Sequence, residues 1–419
     1  MKEKVGFWSA VAIGIGGMVG GGIFAVLGLA VQLSGGATPI AFFIAGLIAL
    51  ITSYSYAKLT VTYPSPGGTV EFLNRAFGRG VITGSLNILL WESYIVMLSL
   101  YSYAFGSYAA SFFPHHIQFY RHVFTTLIIV LMTVLNLMSA GVVGEVEEYI
   151  VAFKVAILLF FVLAGLWSID FSRFNSHIPS ALRLVAGGMI IFLAYEGFEL
   201  IANTAMDVED LSFLPKAYYT AVGFVIFLYV SVAIVTVGNL PFQQIINARD
   251  YALAAAAKPF LGEAGFTLIA IAALLSTGSA INATLYGSAR VSYIIAKYRE
   301  MPAFMEKKVW SKPVEGLLLT SALTLVMANT LNLSNISTLG SSGFLIIFSA
   351  VNLANLRLRK ETKSNKLITS FGFVTCILAL ITLLSVTVKS ITDLLILIAM
   401  IGSAFAFESA YRVFIKENA

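Results

Sequence analysis

Long apolar runs follow one another along the chain, parted by short polar segments. Each run is near the length of about 20 residues that a helix needs to cross a bilayer. The pattern predicts an all-α integral membrane protein with twelve spanning helices. They fall at about residues 7–34, 38–62, 81–113, 121–140, 147–168, 183–206, 216–239, 264–297, 315–331, 335–355, 366–388 and 391–413. The connections are too short to hold a separate soluble domain. Span 1 breaks the uniformity: "VAIGIGGMVGGGIFAVLG", residues 11–28, is mostly glycine at its centre, from Gly16 to Gly22. Glycine costs about 1 kcal/mol relative to alanine inside a helix, and lipid offers no water to a freed backbone group. Span 6, "GGMIIFLAYEGFELIANTA" at residues 187–205, is also interrupted, by Tyr195, Glu196, Gly197, Phe198 and Glu199.

Spans 1 and 6 lie five spans apart, and five is odd, so the two run in opposite directions. Residues 1–168 (spans 1–5) and 181–356 (spans 6–10) are therefore expected to form inverted repeats, with spans 11 and 12 at 365–413 added outside them. Interrupted spans at matching positions of two such halves point to a transporter's binding site. The amides of Gly20, Gly21 and Gly22, with a helix dipole behind them, would face a ligand carboxylate. Freed carbonyls at the ends of the inner half of span 1 and the outer half of span 6 would accept from an ammonium group. A zwitterionic amino acid matches both. The pairs Gly16/Gly20 and Gly17/Gly21 also satisfy the small-residue spacing of close helix packing. Span 1 alone favours packing; the second break turns the balance toward a site.

Composition agrees with the pattern. The chain is 58% hydrophobic and 11% charged, with a mean hydropathy of +0.89, which excludes an ordinary soluble domain. One cysteine and four scattered histidines provide no intrachain disulfide and no ligand cluster, so neither metal nor cofactor is expected. The net charge of +5 is explained by placement. With the N-terminus inside, the inner side carries Lys2, Lys4, Arg75, Arg79, Lys216, Arg290, Lys297, Arg299, Lys307, Lys308, Lys312, Arg357, Arg359, Lys360, Lys363, Lys366, Arg412 and Lys416. The outer side has Arg121, Arg173, Arg183, Arg249, Lys258 and Lys389. This positive-inside bias puts both termini in the cytoplasm of a cell-membrane protein. Its surroundings are a lipid bilayer, not nucleic acid. Span 1 is too long and too broken for the 7–15-residue core of a signal peptide.

Charges inside the spans are the sharpest candidates for chemistry. Lys154, in "EEYIVAFKVAILLFF", lies six residues past Glu148, roughly 9 Å along a helix, and a lysine at bilayer centre costs about 2.5–3.5 kcal/mol or more. Once desolvated it would bind and release a proton during transport; the plainer alternative is a snorkelling or structurally paired lysine. Glu92 in span 3 and Glu196 and Glu199 in span 6 are the intramembrane acids, expected to face the bundle interior. Glu199 would brace the unwound segment or join an outer gate; a structural hydrogen bond to span 1 or 10 is equally compatible. Glu92 and Glu196 open the minority case of a cationic substrate. Ser276, Thr277 and Ser279 would line the region facing Lys154 or bond their own preceding turns. Tyr94, Leu98 or Tyr101 would supply a pocket wall, with packing as the default.

With these residues in view, the chain resembles a known group. "GGMVGGGIF" (Gly16 to Phe24) and "FLAYEGFELIAN" (Phe192 to Asn203) resemble the first- and sixth-span signatures of the amino acid, polyamine and organocation transporter superfamily. The likeness is nearest to archaeal proton-coupled amino acid transporters of the ApcT type. It includes "AAAAKPFLGEAGFTLIAIAALLSTGSAINATLYG" (residues 254–287), "KVWSKPVEGLLLTSAL" and the lysine of span 5. The resemblance implies a LeuT-like fold, with substrate held by the backbone of Val19, Gly20, Gly21, Gly22 and Ile23 and of Phe192, Leu193, Ala194 and Tyr195. It also implies that the Lys154 ammonium replaces the sodium of sodium-coupled relatives, near the span 1 carbonyls of Gly14 to Gly17 and the span 8 hydroxyls. After span 6, where the group has paired acids and Asn-Pro, this chain has "MDVEDLSFLPK". A span 5 lysine also occurs in relatives that exchange substrates.

The leading expectation is a secondary active transporter that takes up amino acids with protons, through Lys154, by alternating access. An exchanger, or a carrier of cationic amino acids or polyamines, is the alternative within transport. A membrane-embedded amino acid sensor is the alternative outside it. No nucleophile and base pair or metal ligand set at mid-span suggests an enzyme.

Overall fold

The computed structural model describes residues 4–138, 143–306 and 314–417. Lys2, Lys307, Lys308 and Lys312, and the first residues of the "KVWSKPVEG" motif, lie outside the described residues. The helices are α1 (Phe7–Met18), α2 (Gly22–Ser34), α3 (Thr38–Thr62), α4 (Thr69–Phe77), α5 (Val81–Ala110), α6 (Ile117–Met138), α7 (Val143–Gly165) and α8 (Ala181–Phe192). After them come α9 (Leu214–Asn239), α10 (Phe242–Asn247), α11 (Ala252–Lys297), α12 (Val314–Thr330), α13 (Leu333–Arg357), α14 (Arg359–Thr362), α15 (Lys366–Thr387) and α16 (Ile391–Glu417). Among the described residues the only β pairing is one isolated bridge, Val5 to Val208.

Among the described residues ten segments are long and apolar enough to cross a membrane; one of them, Gly22–Thr62, joins α2 and α3 across a 3-10 turn. The apolar helices Phe7–Met18 and Val314–Thr330 are shorter. Large side chains such as Leu127, Leu131, Leu378, Ile381, Leu395 and Ile398 are exposed on the perimeter helices α6, α15 and α16. In water such a surface would be an aggregation hazard; in lipid it is the correct solvent face. The protein is thus a multi-pass membrane protein.

The centre is built by pairs. α2 packs on α8, α1 on the 3-10 helix Phe198–Thr204, α3 on α9, α5 on α11 and α6 on α12. α5 and α13 are buried along most of their length, so the core is organised around helices largely shielded from lipid. Two details differ from the pattern-based expectation. The eighth span begins earlier, at Ala252, and bends at Gly262, whose φ of 65° only glycine adopts freely. The connection after α3 also carries α4, tied by the Arg75–Glu71 pair at 2.9 Å.

Candidate functional site

Span 1 stops being helical at Met18 and restarts at Gly22, so the break is shorter than the glycine run. Gly16 and Gly17 remain helical. Their lack of a side chain serves contact: a Cβ on Gly17 would stand 2.8 Å from the Gly197 carbonyl oxygen, and one on Gly22 2.7 Å from Ala194 Cα. On Gly21 it would be 2.4 Å from the Tyr101 ring. Packing and chain interruption therefore share these glycines. In span 6, α8 ends at Phe192, a 3-10 turn covers Leu193–Tyr195, Glu196 is extended, and Gly197 takes φ 122° before a second 3-10 helix starts. The two breaks touch backbone to backbone.

A broken helix leaves carbonyls without partners, and here the neighbours supply them. Val19 N–H donates to Ile15 at 2.7 Å. Lys154 Nζ donates to the Gly16 carbonyl at 3.0 Å, with the lysine only 1% exposed. The Tyr229 hydroxyl lies 2.7 Å from the Met18 carbonyl and 3.3 Å from that of Ala194, clasping both breaks. Ser276 Oγ reaches the Gly20 carbonyl at 2.8 Å and that of Val19 at 3.3 Å. On the amide side the chain is left open. Gly21, at the N-cap of α2, has no side chain with which to cap the helix, and the first amides of a helix have no acceptor within it. Gly22 and Ile23 are buried, and a helix N-terminus is the kind of place that receives an anion.

Glu199 serves the second break. Its Oε2 accepts from Gly197 N–H at 2.8 Å and its Oε1 from the Tyr94 hydroxyl at 3.3 Å. Glu196 is buried beside it, its carboxyl against that of Glu199. An aromatic group closes this end: Tyr56 and Phe198 centroids lie 5.5 Å apart, Phe198 and Phe348 5.3 Å, and Tyr94 and Phe344 5.7 Å.

The structure brings together the junction of Val19, Gly20, Gly21, Gly22 and Ile23, Leu193 and Ala194 of span 6, Tyr101, Lys154 and Ser276. Phe192 packs on Phe348, their centroids 5.8 Å apart. The Tyr195 hydroxyl donates to the Phe42 carbonyl at 3.0 Å, so its side chain points into α3. Ser279 is buried one turn beyond Ser276, while Thr277 bonds its own helix at Ala273. Glu92 is not at the break. It accepts from Ser403 of α16 at 3.0 Å, because two residues along a helix place it about 200° around α5 from Tyr94. Tyr229 went unnoticed in the sequence. Its signal was a tyrosine in mid-span, whose hydroxyl must find a partner when buried.

Two interrupted spans whose backbones meet inside a bundle of membrane helices are the architecture of a membrane carrier. A family model described as amino acid permease matches residues 5–405, and the chain belongs to that family. It is similar to an uncharacterized protein of Methanocaldococcus jannaschii, 38% identical over 377 residues, which cover 89% of this chain and 87% of the relative. The inner membrane transport protein YbaT of Escherichia coli is 35% identical over 91% of this chain and 89% of its own length. The serine/threonine exchanger SteT of Bacillus subtilis is 24% identical over 87% and 85%. The family, YbaT and SteT are transporters, not enzymes, and amino acid transport is the activity that the family supports.

Proposed function

We propose that the chain takes up amino acids by alternating access in a twelve-span, 5+5 inverted-repeat fold of the LeuT type, coupling uptake to protons through Lys154. The pairwise packing of α3 on α9, α5 on α11 and α6 on α12 supports the repeat, since a pseudo-two-fold axis sets each span beside its counterpart. Both termini would face the cytoplasm of the cell membrane. The substrate carboxylate meets the amides from Gly20 to Ile23, and its ammonium meets carbonyls of the Phe192 to Tyr195 stretch. Tyr101 walls the site, and Glu199 holds the second break in shape.

The observation that carries the coupling is the Lys154 ammonium on the Gly16 carbonyl, at the last turn before the break. Charged, the lysine holds α1 in place; once it gives up its proton its hold on that carbonyl weakens, and α1 is free to swing. Ser276 and Ser279 border the same junction. The test is uptake of a labelled amino acid panel into liposomes under an inward proton gradient, with wild type beside Lys154→Ala. Gradient-dependent accumulation that vanishes in the variant supports symport; uptake only into preloaded vesicles identifies an exchanger and ends the coupling proposal. The buried Glu196 beside the break favours a second reading, a substrate with an additional positive charge. Preference for lysine or arginine over alanine in the same panel, lost in Glu196→Gln, would establish it.

A further inference from the structure

At the end of the bundle opposite the N-terminus, where α5 ends, α6 begins and the α10 connection crosses α2, lies a crevice of about 360 Å³. That places it at the small end of the range for ligand pockets. Its polar lining is Ser107, Gln118, Arg121, Asn247, Arg249 and Asp250. Two guanidinium groups share one carboxylate. Arg249 Nε lies 3.1 Å from Asp250 Oδ1 and Arg121 Nη1 4.0 Å from Oδ2. The Tyr103 hydroxyl donates to Oδ2 at 3.2 Å and is itself bonded by Arg121, whose guanidinium sits 4.5 Å from the Tyr103 ring centre. This network fastens the segment at 249–251 to α5 and α6. The same segment also packs on α2, where a Cβ on Gly28 would be 2.2 Å from the Arg249 carbonyl oxygen. Ser107 is 3% exposed, and its hydroxyl has no partner among the described residues although it lines the crevice.

We infer that this crevice is a docking site for the incoming amino acid, and that docking releases the latch. The inference rests on the proposed transport function and orientation, which make this the outer face. Two cations against one anion leave a net positive charge, and a guanidinium fork fits a carboxylate in bidentate fashion. The substrate carboxylate displaces Asp250 from Arg249 and Arg121, with Ser107 as a further donor, and the freed Asp250 takes the substrate ammonium. The exchange conserves charge pairs while detaching the segment at 249–251 from α5. The latch thereby opens to a zwitterion and stays shut to solvent ions that carry only one charge.

The test is uptake of a labelled amino acid by cells expressing the protein, which exposes only this face to label, together with equilibrium binding to the purified protein. Arg249→Gln is expected to raise the KM for uptake about fivefold while equilibrium Kd stays within twofold of wild type, with Arg249→Lys in between. Asp250→Asn removes the competitor and the acceptor of the substrate ammonium together, two opposing effects, so its KM is expected to stay within twofold of wild type. Unchanged KM in Arg249→Gln overturns the inference. A shift of the same direction and size for Arg249→Gln and Asp250→Asn also overturns it, since a purely mechanical latch would behave that way. A wild type that accumulates no amino acid would overturn the transport function itself and this inference with it.

Discussion

Gly197→Ala concentrates the physics of the crossing in one methyl group. Gly197 sits at φ 122°, and a Cβ there would lie 2.3 Å from Gly17 C and 2.5 Å from Met18 N. Those are backbone atoms, so no side chain can turn aside. The left-handed backbone costs about 1–2 kcal/mol for a residue with a Cβ, and overpacking adds about 1–3 kcal/mol, giving a total of about 2–5 kcal/mol. Two other glycines separate the contributions. Gly262 has φ 65° with open space around its Cβ, and Gly223 has neither a positive φ nor a close neighbour. Gly262→Ala should therefore cost only the backbone contribution. Gly223→Ala, inside α9, should stabilise by about 0.5–1 kcal/mol. Thermal unfolding in detergent, followed by the loss of the monodisperse chromatographic peak, ranks the three. At roughly 2–4 °C per kcal/mol, Gly197→Ala is expected to lose about 4–20 °C, Gly262→Ala a few degrees and Gly223→Ala none. A Gly197→Ala protein that melts with wild type would refute the backbone crossing.

Lys154→Met is expected to leave thermal stability within a few degrees of wild type: the lost charge-assisted bond to Gly16, about 1.5–3 kcal/mol, is offset by the removed burial cost of the lysine, about 2.5–3.5 kcal/mol. The same melt measures it, and a large loss would mean that the lysine is chiefly structural. Tyr229→Phe leaves the Met18 carbonyl unpaired in a buried place and should cost about 1–3 kcal/mol; an unchanged melting temperature would remove Tyr229 from the clasp. Glu300, in the turn after α11 and outside the spans, is 0% exposed, with one oxygen bonded to Asn87 at 2.7 Å and the other without a partner among the described residues. Burial raises its pKa above the ordinary 4.5, so its protonated form stabilises the fold below that value and the stabilisation fades as pH rises through the folded pKa. Glu300→Gln should therefore melt higher than wild type at pH 7, with the gap closing toward pH 4.5; a constant gap across pH would refute the desolvation account.

The apolar runs disclosed where the membrane segments lie, because a spanning helix needs nothing beyond length and hydropathy. They did not disclose α4 or α10, which are too short to leave a clear period, nor the bend at Gly262, which one glycine in "KPFLGEAG" makes without altering composition. At the site, the glycines and carboxylates of spans 1 and 6 were legible as defects in an otherwise apolar helix. The clasp was not, because Tyr229 differs from a packing tyrosine only through the carbonyls of Met18 and Ala194 that tertiary structure brings to it. Glu92 illustrates the converse. An acid in a span announces that it needs a partner and leaves open which neighbour provides one, here Ser403.

The contact of Gly17 with Gly197 has a consequence for how such a carrier diversifies. Two main chains meeting directly leave no rotamer to adjust and no atom to delete, so this point is frozen against substitution. In the proposed site the constant part of every substrate, its ammonium and carboxylate, is read by this frozen frame. The variable part is read by replaceable groups around it, Tyr101 and Glu196 among them. Changes of diet then require edits only at the margin, and the chassis can pass unaltered between carriers of unlike specificity.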